Sequence, residues 1–171
     1  MILLDTNVIS AVMAPAPPRP VLEWLNYQET VGLYLSAITL AEISYGLRVL
    51  PDGRRRRDLE DRFAKFVADG FEQRILSFDK RAALLYGEIM GRRKELGRPL
   101  GILDGQIASI ARAHQLTVST RNTRDFEDCG LELVNPFERQ SASMIGALKE
   151  KIEVRGDVFS TGTSWDADAE S

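Results

Sequence analysis

The stretch Ile2-Leu3-Leu4-Asp5-Thr6-Asn7-Val8 decides how this chain is read. Three apolar residues without alternation describe a short strand buried on both faces, as in a parallel sheet, and an acid stands where that strand ends. Thr6 and Asn7 are both good helix-capping residues, and Val8, Ile9, Val12 and Met13 follow at helical spacing, so the strand passes directly into a helix. Asp5 therefore lies at the carboxyl end of a strand, where open α/β sheets place their ligands. The plainer reading of the same residue is a helix cap.

The pattern recurs further along. Leu33-Tyr34-Leu35-Ser36 reads as a second strand, and Thr39 to Leu47 as a helix capped by Thr39, with Glu42 one turn in. Ile38, Glu42 and Tyr45 share a helical face and Gly46 stands at i+4 from the acid, an unusual setting for a carboxylate that is merely solvated. Leu103, Ile107, Ile110, Ala111 and His114 form an amphipathic stripe whose helix holds Asp104 in its first turn. The helix dipole alone favours an acid there, but Ala108 and Ala111 on the same side let that face approach another element and leave the carboxylate in a crevice. His114 completes the stripe as a core-edge residue. Thr117-Val118-Ser119-Thr120 is a further β-rich run ending in Arg121-Asn122-Thr123-Arg124-Asp125-Phe126, again a strand followed by groups able to bind a metal or phosphate.

Between these stretches lie connecting elements. Pro15 to Pro20 breaks the pattern before a second helix with Val21, Leu22, Trp24 and Leu25, and Pro51-Asp52-Gly53 is a turn that opens a long helix carrying Leu59, Phe63, Phe66 and Val67. Arg54 to Arg57 invites an RNA-contact reading, yet Asp58 and Asp61 stand at i+4 from Arg54 and Arg57, so surface pairing accounts for much of the run. Ile75 to Phe78 suggests a third strand before a helix capped by Asp79, and Leu131 to Val134 a last one closed by Asn135-Pro136. Strands alternating with helices imply an α/β fold on a parallel sheet, whose crossovers carry Asp5, Glu42, Asp104 and the Asn122/Asp125 turn. Neither a Gly-x-Gly-x-x-Gly nor a phosphate-loop pattern is present.

Composition narrows the chemistry. The 171 residues, 44% hydrophobic and 27% charged, fit one globular domain with a real core. A single cysteine, Cys129, rules out an intrachain disulfide or a cysteine zinc cluster, and a single histidine excludes sites built on several imidazoles. Oxygen ligands are what remains. The net charge is −3, and since residues 141–171 hold three basic and six acidic residues, the body before them is neutral. That balance argues against nonspecific coating of nucleic acid. With no basic segment ahead of an apolar run and no apolar stretch of bilayer length, a cytoplasmic protein without membrane contact is expected. From residue 141 the character changes: Met144 to Val154 can form a short helix, and Gly156 to Ser171 reads as a disordered acidic tail.

Carboxylates gathered at one sheet edge raise each other's pKa, a conflict that a divalent cation resolves. Magnesium and manganese take oxygen ligands, and such a site suits phosphodiester hydrolysis, which needs neither histidine nor a nucleophilic serine.

At this point the residues resemble a known family. The chain is similar to PIN-domain ribonucleases, specifically the VapC-type toxins of type II toxin-antitoxin pairs, and looks closest to their FitB-like branch. The resemblance rests on Leu3-Leu4-Asp5-Thr6-Asn7-Val8, Ala41-Glu42-Ile43-Ser44-Tyr45-Gly46, Asp104-Gly105-Gln106-Ile107-Ala108, and Ser119-Thr120-Arg121-Asn122 through Asp125-Phe126 with Asn135-Pro136-Phe137. In order and spacing these cover residues 1 to about 138. The resemblance implies a PIN-like three-layer α/β/α fold over residues 1–140 with a C-terminal extension over 141–171. It implies an Mg2+-dependent endoribonuclease, Mn2+ being the other candidate ion, with Asp5 and Asp104 as main metal ligands and Glu42 completing the acidic cluster. Many members carry an acid where this chain has Asn122; either Asn122 or Asp125 can complete the cluster, and the charge of Asp125 favours it. Thr6, Asn7, Thr120 and Asn122 are the implied orienters of water or phosphate. An RNA substrate, a homodimer and a cognate antitoxin lying across the groove are implied as well.

Two other classes compete. A PIN-fold binding module without activity would lack one of the acids, and Asp5, Glu42 and Asp104 are all present. A metal-dependent phosphatase using Asp5 as nucleophile would want a second Asp two residues on, where Asn7 stands.

Overall fold

Ile2–Leu4 forms the central strand β1 of a five-stranded sheet in the computed structural model, which describes residues 1–138. The expected helix and tail within residues 141–171 lie outside the described residues. Helix α1 (Thr6–Val12) follows after one residue, then α2 (Arg19–Asn26), β2 (Leu33–Ser36), α3 (Ala37–Arg48), α4 (Arg54–Phe71) and β3 (Ile75–Leu76). The second half holds α5 (Lys80–Glu95), α6 (Ile102–His114), β4 (Thr117–Ser119), α7 (Thr123–Phe126) and β5 (Leu133–Val134).

The strand order is β3-β2-β1-β4-β5 and every pairing is parallel. β1 is bonded on both edges, with Leu3 beside Tyr34 on one side and Val118 on the other, and because both faces of the sheet are covered its three residues are apolar without alternation. The chain first winds outward from β1 through β2 to β3, then returns across the sheet to β4 and β5. The reversal falls between β1 and β4, so the carboxyl ends of these two strands open onto the crevice where such sheets bind ligands.

Helices cover both faces, giving the three layers that the family resemblance implied. Leu3 is fully buried in a core with Ile89 of α5, Ile107, Ala108 and Ile110 of α6, Val118 and Phe126. Its neighbour Leu4 points the other way into a core of Val8 and Ile9, Trp24 and Leu25, Leu33, Leu35, Ile43, Phe63 and Phe71. Successive strand residues feed opposite layers, and each fully buried leucine contributes about 2 kcal/mol of transfer free energy.

Several element ends differ from the sequence reading. α3 begins at Ala37 rather than after Thr39, because Ser36 is the cap: its hydroxyl accepts from the Thr39 backbone N–H at 2.9 Å. β3 and β5 are only two residues long, shorter than the apolar runs that suggested them. A short helix, α7, replaces the turn expected after Thr120. His114 is exposed, not at the core edge: it is the last residue of α6, next to the left-handed Gln115 (φ 55°), and the buried residues of that final turn are Ala111 and Ala113.

The most extensive helix contact is α5 against α6, and Gly105 lets the two helices meet closely. A methyl group built there would sit 2.6 Å from the Met90 sulfur and 2.9 Å from the Tyr86 ring, which is itself held edge-on to Phe78. Gly105→Ala is therefore expected to destabilise the protein by about 1 kcal/mol, overpacking outweighing the gain in helix propensity. Thermal unfolding should show the midpoint falling by roughly 3 °C; a rise would mean that α5 yields freely at this point.

Candidate active site

Asp5 is the single residue between β1 and α1 and caps the helix: its backbone N–H bonds to the Ser119 carbonyl at 3.0 Å, and its Oδ1 accepts from the Thr6 N–H at 2.7 Å. The two readings of this residue thus describe one carboxylate, which caps a helix and faces the switch-point crevice. It is 95% buried, being only 5% exposed. Its Oδ2 accepts from Asn7 Nδ2 and from the Thr120 hydroxyl, each at 2.7 Å. A carboxylate offers about four lone-pair sites, so these three donors leave an open acceptor position on Oδ1. Burial pushes the Asp5 pKa upward; the bonds from Thr120 and Thr6 oppose that, and the nearby Glu42 charge adds to it.

Thr120 is the hub on the β4 side. While donating to Asp5, its hydroxyl accepts from Asn7 Nδ2 and from the Asn122 backbone N–H, both at 3.0 Å. Asn7 closes the circuit with Oδ1, which accepts from the Arg121 N–H at 3.0 Å. On the other side the Thr6 hydroxyl donates to Glu42 Oε2 at 2.6 Å, linking α1 to α3. Thr6, Asn7 and Thr120, the expected orienters of water or phosphate, each donate one hydrogen bond to a carboxylate: Thr6 to Glu42, and Asn7 and Thr120 to Asp5.

Asp104 enters from α6, at the third helical position, and is half-buried. Its pKa is raised to about 6, by burial first and then by the charges of Asp5, Asp125 and Glu42. Four acids from distant parts of the sequence thus act on one another. Asp5, Thr6, Asn7, Glu42, Asp104 and Asn122 line one open cleft of about 540 Å³, together with Ser10, Ala11 and Arg121. Asn122 is in the lining and Asp125 is not; Asp125 is exposed on α7 and reaches the cleft through its field on Asp104. Arg121 was not singled out from sequence, although its place between Thr120 and Asn122 puts it at the same strand end. Ser10 and Ala11 follow one helical turn after Thr6 and Asn7, a periodicity that could have found them.

The acids offer oxygen ligands only. The buried Asp5 and half-buried Asp104 are both held toward their protonated forms, by burial first and by neighbouring negative charge after it, which suits a hard divalent cation. Among the described residues no three acidic, histidine or cysteine side chains cage an ion by themselves. Magnesium does not need a cage, since it keeps several waters and takes one or two carboxylates together with substrate phosphate. Asp5, through its open Oδ1 position, and Asp104, without a side-chain donor among the bonds described, are the groups free to bind one.

Residues 2–130 match the family model described as PIN domain. The VapC ribonuclease Y4jK of Sinorhizobium fredii is 44% identical over 138 residues, spanning 81% of this chain and 99% of that protein. Toxin FitB of Neisseria gonorrhoeae is 39% identical over 137 residues, 80% of this chain and 99% of that one. Among solved structures, FitAB bound to an IR36 DNA fragment superposes with a TM-score of 0.78 at 38% identity, covering 82% of this chain and 98% of its counterpart.

The geometry has two consequences that can be measured. Asp104 Oδ2 folds back to Gly101, where an added methyl would lie 2.8 Å from that oxygen. Gly101 has an ordinary φ of −60° but is the N-cap of α6, where alanine caps less well, so Gly101→Ala should fold with a loss of roughly 0.5–1 kcal/mol while pushing the Asp104 carboxylate aside. Calorimetric titration with Mn2+ should show weakened binding by the folded variant; unchanged binding would mean that Asp104 holds no ion. The second consequence concerns pH. Asp104 binds its proton more tightly folded than unfolded, so its contribution favours the folded state at low pH and is lost as pH rises from about 4 through about 6. In chelator, Asp104→Asn should therefore raise the thermal midpoint at pH 7.5, and the gain should shrink toward zero at pH 4.5. A gain that does not depend on pH would reject the like-charge account.

Proposed function

This chain belongs to the PIN-domain family, and from that membership and the cleft just described we propose that it is a metal-dependent endoribonuclease, the toxic member of a toxin-antitoxin pair. The observation that carries the reading is the convergence of Asp5, Glu42 and Asp104 on one cleft at the switch point of the sheet. Relatives named as ribonucleases or tRNA(fMet)-specific endonucleases support the substrate class, and solved FitAB and VapBC assemblies among the structural neighbours support an antitoxin partner for this chain. The working unit is a homodimer of the PIN domain, residues 1–140, in the cytoplasm. No helix among the described residues is long and apolar enough to cross a membrane.

Asp5 and Asp104 hold the ion, Mg2+ or Mn2+. When bound it supplies charge neutralisation on the phosphate and lowers the pKa of the attacking water. The chain's own residues do the rest. The Thr120 and Asn7 side chains hold Asp5 Oδ2 and the Thr6 N–H holds Oδ1, so the carboxylate is fixed in one orientation with one acceptor position left open. Thr6 fixes Glu42 at the opposite wall, where its remaining oxygen can accept a proton from water entering the cleft. Asp125 keeps the potential at Asp104 negative from outside the lining, and Asn122 supplies a neutral amide within it.

Purified protein incubated with mixed single-stranded RNA should cut it in Mg2+ or Mn2+, stop in chelator, and lose the activity at least a hundredfold on Asp104→Asn, as for loss of a main ion ligand (roughly 10² or more for a catalytic group). Cleavage that persists in chelator or in folded Asp104→Asn protein would reject the metal-dependent reading. A folded wild-type chain that neither cuts RNA nor binds Mn2+ would mark an inactive module.

A further inference from the structure

The cleft is acidic on three sides, yet one cation lines it, Arg121. An arginine beside three carboxylates would ordinarily turn in and pair with one of them. Arg121 takes no part in the ion pairs found among the described residues. Its guanidinium carbon instead lies 3.9 Å from the centroid of the Phe137 ring, a close cation–π contact. Both ends of the residue are thereby held. The backbone N–H bonds to Asn7 Oδ1, within the same network that fixes Asp5, and the side chain rests on an aromatic platform.

That platform is built for the purpose by the end of the sheet. β5 pairs with β4, so the chain leaves Val134 at the carboxyl edge and turns over it through Asn135 and the buried Pro136. The Phe137 N–H bonds to Asn135 Oδ1 at 3.0 Å, and the ring packs against the core that contains Leu4 and Val8. Phe137 therefore keeps the guanidinium out of reach of the acids. The carboxylates stay available for a cation, and the five-donor fork of Arg121 stays available for an anion at the mouth of the cleft.

We propose that Arg121, held on Phe137, binds a phosphate of the RNA strand and sets the strand's position over Asp5 and Asp104. This rests on the ribonuclease reading above. An arginine fork matches phosphate oxygens in a bidentate manner, and an exposed guanidinium stacked on a ring loses less freedom on binding than a free one.

The test uses the full chain with Ca2+ in place of Mg2+ and a fluorescent pool of short single-stranded RNA, with affinity followed against salt. Arg121→Gln should weaken binding about tenfold, as for one charge-assisted contact, and should reduce the slope of log affinity against log salt by about 0.7, one phosphate on a single strand. Arg121→Lys should keep the slope with a partial loss of affinity. Phe137→Leu should also keep the slope, with affinity about threefold lower from the lost cation–π support. Circular dichroism verifies folding, and since Arg121 is exposed, its variants supply the decisive arm. Wild-type binding with an unchanged slope and affinity in folded Arg121→Gln overturns the proposal alone. The same outcome with weakened binding of a protein antitoxin overturns it in favour of a partner contact. Wild-type protein that binds no RNA overturns both this proposal and the ribonuclease reading.

Discussion

A buried carboxylate, Asp5, ties the two halves of the sheet together. Removing an acid from water costs several kcal/mol unless donors replace the lost hydration. Here the donors come from both sides of the topological reversal: Thr6 and Asn7 from the start of α1, and Thr120 from the end of β4. Two strands far apart in sequence are joined at their carboxyl ends by one side chain. The switch-point crevice gets its shape from this bond set, and the other acids are placed relative to it.

The remaining acids arrive by independent routes. Glu42 depends on α3, whose start is set by the Ser36 hydroxyl and whose orientation toward α1 is set by the bond from Thr6. Asp104 depends on α6 lying close to α5, which the bare Gly105 permits, and on the bare Gly101, which leaves room for its carboxylate. Packing and electrostatics therefore oppose each other at this site. The layers that bury Leu3 and Leu4 also bring like charges together, and Asp104, raised to about 6, carries part of that conflict. A cluster assembled against its own repulsion is poised for a cation, since a positive ion relieves the strain that folding creates.

The parts legible from sequence were those in which local pattern and tertiary role coincide. Ile2–Leu4 had to be a doubly buried strand because no polar residue interrupts it, and the stripe of α6 placed Asp104 at a helix start without any knowledge of neighbours. The three acids that line the cleft, Asp5, Glu42 and Asp104, were likewise legible, because each stands at or near the start of a helix and because the family motifs stand in order. What escaped depended on competition between equivalent residues or on distant partners. Ser36 and Thr39 are both competent caps, and only the end of β2 decides between them. The two-residue strands β3 and β5 stop where pairing with β2 and β4 stops, which apolar content does not reveal.

Asn122 and Asp125 show the same limit at the site itself. Charge favours Asp125 as the fourth member, whereas α7 turns its side chain outside the cleft lining and leaves the neutral Asn122 in it. The two contributions are of different kinds: an amide can donate or accept at short range, while an exposed carboxylate acts only through its field. The acidic wall of this cleft is therefore one charge poorer at contact distance than the motif pattern suggests. A cation at Arg121 stands next to that gap, one residue away in sequence and held apart from the acids by Phe137. An acid at position 122 would draw Arg121 inward more strongly than the neutral Asn122 does, so the neutral residue and the aromatic rest act in the same direction, keeping both signs of charge at one mouth.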